Sequence, residues 1–287
     1  MRNVLTIDVE EYFQVHAFES VIRRSNWDLF PNRVMGNTVR ILELLAHYDV
    51  QATFFILGWV ADRYPELVQM IAEDGHEIAS HGYWHELVYR QTPEDFAADL
   101  RLSLDAISAA LPGVPIAGYR APSFSITAQS LWALDVLDHL GLVYDSSIFP
   151  LSIHDRYGIK EANRFASKTR RGLWEIPVST IRLGKRNWPI AGGGYFRLYP
   201  LWVTRQAMHY INGQGQPAVI YLHPWEFDPH QPRIAEASWL SRFRHYVNID
   251  KTEDRLRLLL QEFEFGPIRD VFAPLLKTQQ KQYQLAN

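Results

Sequence analysis

Two histidines four residues apart, His81 and His85, close the segment HEIASHGYWH at residues 76–85. On a helical turn this spacing puts both imidazoles on one face, within reach of one divalent metal. Neutral imidazole suits Zn²⁺, but such a site also needs a carboxylate and an open position for water. A His-x-x-x-His pair is common by chance, and two surface histidines closing a loop is the plainer alternative. What weighs against it is a set of polar residues that recur at one place, the ends of short apolar runs.

Those runs read as strands. Residues 4–7 form a β-branched apolar run ending at Asp8, and residues 52–57 (ATFFIL) a buried type of strand. Further strands are expected at 76–80, ending at His81, and at 116–119, ending at Arg120. Residues 142–144 end at Asp145. Residues 174–178 contain Glu175, with Pro177 placing that strand at an edge or bulge, and residues 217–222 end at His223. Helices are expected between them. One follows a Thr38 cap, and one spans 65–73. A third begins at Thr92-Pro93-Glu94-Asp95, another runs from Thr127 through His139, and 201–211 make a fifth. Two more, near 237–247 and 252–264, close the chain.

Seven strands alternating with helices belong to the α/β class with a parallel sheet. The expected fold is a distorted (β/α)7 barrel, one unit short of the usual eight, with an open doubly wound sheet as the alternative. No repeat, low-complexity tract or interdomain linker is apparent, so residues 1–287 read as one domain. Its barrel would occupy about 1–230 and a helical C-terminal extension about 231–287. The run Gly192-Gly193-Gly194 lacks the spacing of a dinucleotide fingerprint, which argues against nucleotide binding.

Composition narrows the classes further. The 287 residues are 47% hydrophobic and 13% aromatic, ordinary to rich for a globular enzyme, and suffice for one substantial core. The absence of cysteine removes disulfides, thiolate nucleophiles and Cys-ligated metals. A net charge of −3 with dispersed Lys and Arg argues against nucleic acid as a partner. No run approaches the roughly 20 apolar residues of a membrane span, and the first dozen residues carry carboxylates where a secretory signal would be apolar. The expected location is cytoplasmic.

In a parallel barrel, catalytic side chains sit at the C-terminal ends of strands. Here six of seven strand ends carry Asp8, His81, Arg120, Asp145, Glu175 and His223. Any one alone has a structural explanation; their convergence on one rim is what points to chemistry. Two histidines and a carboxylate hold a catalytic type of metal, which lowers the pKa of water towards about 7 and polarises a carbonyl. A second carboxylate can act as general base and a histidine from the opposite wall as general acid. An arginine gripping the base carboxylate with two hydrogen bonds keeps it ionised. Such parts cleave an amide or ester. There is no G-x-S-x-G elbow.

In order along residues 4–223 these segments resemble the motifs of the polysaccharide deacetylases with a NodB-type domain, carbohydrate esterase family 4. Thr6-Ile7-Asp8-Val9-Glu10 stands where that family has Thr-Phe-Asp-Asp-Gly, and Ser80-His81 through His85 resembles its histidine motif. Arg120-Ala121-Pro122 is similar to its Arg-x-Pro, Asp145-Ser146-Ser147 falls at its fourth motif, and Leu222-His223 at its last. The resemblance implies Asp8 as base, Arg120 as its partner, His223 as acid, Asp145 as the group orienting His223, and His81 and His85 as metal ligands. The departure is Val9, at the place of the family's metal-binding second Asp. Relatives with Asp-x-Asp take that ligand one residue on, which implies a site of Glu10, His81 and His85. Otherwise Asp8 binds the metal and the base is unassigned. The expected metal is Zn²⁺.

The segments DVEEYF, GYRAPSFSI and YLHPWEFDP resemble a narrower branch, associated with bacterial exopolysaccharide biosynthesis and carrying its own C-terminal extension. The resemblance implies removal of N-acetyl groups from N-acetylhexosamine units of a polymer or of its lipid-linked precursor. It also implies peripheral association with polysaccharide assembly machinery at the inner membrane. Trp84, Trp188, Tyr195 and Trp225 are candidates to stack on sugars, against ordinary core packing. Glu226 reads as a loop cap rather than a substrate contact. The rivals are an amidohydrolase of small cyclic amides or ureides, with a closed pocket, and an inactive carbohydrate-binding relative, for which Val9 speaks.

Overall fold

In the computed structural model, which describes residues 1–151, 158–170 and 172–277, a curled, mainly parallel sheet positions everything else. The last ten residues of the expected extension, 278–287, lie outside the described residues. The strands in chain order are β1 (Asn3–Val9), β2 (Thr53–Ile56), β3 (Glu77–Ser80), β4 (Gly118–Tyr119), β5 (Tyr144–Asp145), β6 (Ser167–Lys168), β7 (Trp174–Glu175), β8 (Thr180–Leu183), β9 (Arg186–Pro189), β10 (Val219–Leu222) and β11 (Phe265–Gly266). The main sheet runs β10-β1-β2-β3-β4-β5-β7-β6, with β11 also pairing β1.

All seven strands expected from the sequence lie in that order and pair in parallel. The strand order never reverses, so the crevice of a doubly wound sheet does not arise. Instead the chain leaving β7 curls round to β10. The Ser179 amide donates to the Val219 carbonyl (3.1 Å), and the Tyr221 amide donates to the Ala191 carbonyl (2.8 Å). The result is a distorted (β/α)7 barrel. Gly192 makes the seam possible: with φ +150°, it lies so close to β10 that a Cβ there would stand 1.8 Å from the Tyr221 carbonyl oxygen. That close approach accounts for Gly192, and Gly193 (φ +52°) is also set tightly against the Tyr221 ring; Gly194 is under no such constraint.

β1 is buried along its whole length because strands flank it and helices cover it, which is why it reads as an apolar run rather than an alternating one. Helices Pro65–Glu73 and Pro93–Ala110 begin and end as expected in outline, and Thr92 Oγ1 accepts the Asp95 amide (3.1 Å). Thr38 is not a cap. Its helix starts at Val34, and the capping acceptor comes from far away: Glu11 Oε1 accepts the amides of Arg33 (2.7 Å) and Val34 (2.9 Å). The expected helix from Thr127 is shorter, Trp132–His139, because Ser130 Oγ accepts the Thr127 amide and holds a turn there. Pro177 lies past the end of β7, which pairs on both sides and is no edge. The hairpin β8–β9 and the short β6 and β11 carry no clear sequence signal.

One buried histidine away from the site has a measurable consequence. His76 Nδ1 accepts the Ala52 amide at the start of β2 (3.1 Å), so it must be unprotonated there. Burial, reinforced by Arg269 and partly opposed by Asp74, pushes its pKa down to about 4. Between about pH 6.5 and 4 only the unfolded chain takes up that proton, so stability falls as pH falls through this window. We expect a loss of roughly 2 kcal/mol across it, diminished in His76→Gln, by urea denaturation at a series of pH values.

Candidate active site

The barrel brings the strand-end residues together because neighbouring strands are in register where they stop. Asp8 faces Phe55 across β1–β2, Tyr119 pairs with Asp145, and Asp145 with Glu175. His81, Arg120 and His223 each follow the last residue of a strand.

Glu10, His81 and His85 converge, each offering a ligand atom within 4.8 Å of the others', and all three are buried. They do so without a helix. The turn after β3 is made by Gly82 (φ +73°), and His85 itself is left-handed (φ +53°), a backbone state uncommon for such a residue. The i,i+4 spacing therefore places the rings together through a bent loop, not a helical face. His81 Nδ1 is bound to the Arg120 carbonyl (2.8 Å), which leaves Nε2 to face the cluster. Burial pushes the His81 pKa down to about 4, keeping the imidazole neutral as a metal ligand must be. Glu10 Oε2 lies 2.6 Å from His85 Nε2 yet has no hydrogen bond of good geometry, while Oε1 accepts Trp225 Nε1–H (3.1 Å). Burial would raise the Glu10 carboxyl, but His85, and then His223 and His81, outweigh it and hold it well below the usual range. A buried, ionised oxygen with no proper donor beside two imidazoles fits a divalent cation. Val9, by contrast, is wholly buried in the core.

Asp8 sits beside this cluster with Oδ1 2.7 Å from Arg120 Nη1. The grip is single, not two-pronged. Arg120 is fully buried; Nη1 also donates to Thr6 Oγ1 (2.6 Å), and the remaining donors go to Ser146, through Nε to the carbonyl (3.1 Å) and Nη2 to the hydroxyl (2.8 Å). Across from it, His223 Nε2 is 3.9 Å from Asp8 Oδ2 and 3.8 Å from Glu10 Oε1.

Asp145 does not orient His223. It accepts the Ser147 hydroxyl (2.5 Å) and amide (3.3 Å) and shares a proton with Glu175, whose pKa burial and the neighbouring Asp145 raise well above normal. The partner of His223 is Glu226, whose Oε1 lies 2.5 Å from Nδ1. Glu226 is completely buried, and its Oε2 accepts Arg197 Nε (3.2 Å). Arg197 in turn donates to the carbonyls of His245, Val247 and Arg244. Burial alone would lower the His223 pKa, but the bond and charge of Glu226 hold it up at about 9. The only sequence signal for this pairing is the i,i+3 spacing His223-Pro224-Trp225-Glu226 on a turn.

These groups open onto a cavity of about 560 Å³. Tyr195 and Trp225 line it; Trp84 does not, its ring packing on Tyr83 and tilted against Trp27. Trp225 is mostly buried, sandwiched between His223 (5.0 Å) and His245 (4.1 Å), so it holds the site's wall in place. Asp8 and Glu10 come from β1 and its end, the two metal-type histidines from after β3, and the His223–Glu226 pair from after β10. A barrel rim with two imidazoles and a carboxylate, a second carboxylate and an opposed, proton-bearing histidine defines a hydrolytic class of site.

Comparison with known proteins gives the same class by a separate route. Residues 26–143 match the family model "Polysaccharide deacetylase", and residues 146–273 match a domain of unknown function, DUF3473. The peptidoglycan-N-acetylglucosamine deacetylase of Bacillus cereus is 28% identical over 121 residues, 38% of this chain and 44% of that protein. A chitooligosaccharide deacetylase of Bradyrhizobium is 31% identical over 100 residues, 35% of this chain and 43% of that protein. The chain thus spans less than half the length of these curated relatives. A crystal structure from Mycobacterium smegmatis, provisionally assigned as a polysaccharide deacetylase, superposes over 96% of this chain and 90% of that one, with TM-score 0.61 at 19% identity, and shares the fold. Residues 26–143 thus carry the likeness to polysaccharide deacetylases of the NodB, carbohydrate esterase family 4 type.

Proposed function

We propose that this protein is a metal-dependent hydrolase that removes N-acetyl groups from N-acetylhexosamine units of a bacterial polysaccharide or its lipid-linked precursor. The observation that carries the proposal is the facing pair Asp8 and His223 across the Glu10–His81–His85 cluster, all opening on one cavity. A divalent cation held by those three residues, most simply Zn²⁺, supplies Lewis-acid polarisation of the acetyl carbonyl and a more acidic water. Asp8, fixed by Arg120, takes a proton from the attacking water as its oxygen bonds to the acetyl carbon. His223, kept protonated by Glu226, gives its proton to the amide nitrogen as the C–N bond breaks. Acetic acid, which ionises to acetate, and a free amino sugar leave; Asp8 gives up its proton and His223 takes one back, restoring both groups.

On this reading residues 1–287 act as one domain, in which the extension returns to pair β11 with β1. We place the protein in exopolysaccharide biosynthesis at the cytoplasmic membrane face; no described helix is long and apolar enough to cross a membrane. The relatives' activities, as deacetylases of peptidoglycan N-acetylglucosamine and of chitooligosaccharide, support the substrate class. The test is metal analysis of the purified protein together with acetate release from chitooligosaccharides. We expect about one divalent ion per chain and acetate release abolished by chelation. Turnover of a small ureide without acetate would instead establish the cyclic-amide reading, and a metal-free protein that only binds sugar the inactive one.

A further inference from the structure

The helix Trp239–Tyr246 lies at the rim of the catalytic cavity with its polarity reversed. At 3.6 residues per turn, Trp239, Leu240 and Phe243 share one side, and Arg242 and Arg244 flank that side on its two edges. The opposite side carries His245, which is buried against Trp225. The apolar side therefore faces outward: Trp239 is 76% exposed, Phe243 48% and Leu240 41%. Leu198, 47% exposed, lines the same cavity as Phe243 and Arg244. Beside the helix, Arg233 lies over the Tyr246 ring at 4.1 Å and joins Arg242, Trp239 and Phe243 around a shallow second cleft. Among the described residues none of Arg233, Arg242 and Arg244 forms an ion pair. Residues 231–249 contain three arginines, no lysine and one acid, Glu236, in a chain of net charge −3.

We propose that this surface docks on an anionic phospholipid membrane, with Trp239, Leu240 and Phe243 in the interfacial layer and Arg233, Arg242 and Arg244 on phosphate headgroups. Outward aromatic and aliphatic side chains bordered by arginine are the pattern of a helix lying in a membrane interface. Large exposed rings of this kind are otherwise costly for a protein in water. An acidic protein would be repelled by such a membrane except where cations concentrate, and they concentrate here. Phe243 and Arg244 border both the outward surface and the cavity, so docking brings the cavity mouth to the lipid. For the reaction proposed above, and resting on that reading, this favours an acceptor sugar tethered to lipid over a soluble polymer.

The test is co-sedimentation of the full chain with vesicles of phosphatidylcholine alone and of phosphatidylcholine mixed with phosphatidylglycerol. Each arginine near an anionic surface contributes about fivefold, so three give roughly a hundredfold preference for the mixed vesicles, falling as salt is raised. Arg242→Glu should lower binding by more than about tenfold, and Trp239→Ser by about tenfold. Both should leave thermal unfolding and turnover of soluble chitooligosaccharide unchanged. Failure of wild-type protein to bind mixed vesicles overturns the proposal. So does binding indifferent to both substitutions, or a dimer that Trp239→Ser dissociates with no vesicle binding. Because vesicle binding is read without catalysis, it stands or falls apart from deacetylation.

Discussion

Glu10→Gln should leave the purified protein without its metal and lower acetate release by about 10³-fold or more, whereas Asp8→Asn should keep the metal and lose turnover. The two carboxylates lie two residues apart, Asp8 in β1 and Glu10 just past its end, yet their surroundings differ. Glu10 has an oxygen aimed at His85 with no hydrogen bond of good geometry, and Asp8 has its oxygen held by Arg120. Removing a ligand from a three-residue set forfeits several kcal/mol of charge stabilisation, which corresponds to that loss in rate. Removing a general base costs about 10²- to 10⁴-fold with the metal untouched. Metal analysis alongside initial rates separates the two. A metal-free Asp8→Asn protein would mean that Asp8 is the ligand and would leave the base unassigned.

The second large effect concerns a residue that the motif order does not point to. Glu226→Gln should lower kcat by about 10²-fold while metal content and overall fold persist. Glutamine keeps an oxygen for Arg197, so the buried guanidinium retains an acceptor, but the charge that holds the proton on His223 is gone. In the proposed mechanism the acid form of His223 is the working one. Wild-type activity should therefore fall as pH rises through about 9, and in Glu226→Gln this limb should move to lower pH. Asp145→Asn should behave differently. Its partners are Ser147 and Glu175, so it should lower the melting temperature without moving the alkaline limb. If the limb moves in Asp145→Asn and stays put in Glu226→Gln, the pairing drawn here is wrong.

These two carboxylates show where a sequence is readable and where it is not. Strand ends are legible because a strand buried on both faces must be apolar, so the first charged residue marks its end; Asp8, His81, Arg120, Asp145 and His223 all emerge this way. The order of the sheet follows, since short crossovers put consecutive strands side by side. Spacing also brought His81 and His85 together, but through glycine and a left-handed residue instead of the expected helical turn. What escaped reading depends on partners distant in the chain. Glu11 caps a helix starting at Val34, which moved that start away from Thr38. Glu226 gains its meaning from Arg197, and Arg197 from carbonyls near residue 245; Asp145 lost its expected role to the same arrangement. Trp84 failed for a related reason, because an exposed ring beside a motif can as easily lean on Tyr83 and Trp27 as on a ligand.

The pairing of β1 with β10 and β11 has a consequence for how this molecule is made. Residues 3–9 are made before the other strands of the sheet, gain a neighbour when β2 emerges, and then wait more than half of these 287 residues for the partners on their other side. Until residues 219–222 arrive, β1, which carries Asp8 and leads into Glu10, has an unpaired edge, open to other nascent chains. Biosynthesis thus sets a long interval with one side of β1 open, and the candidate site is complete only once β10 and His223 have been made.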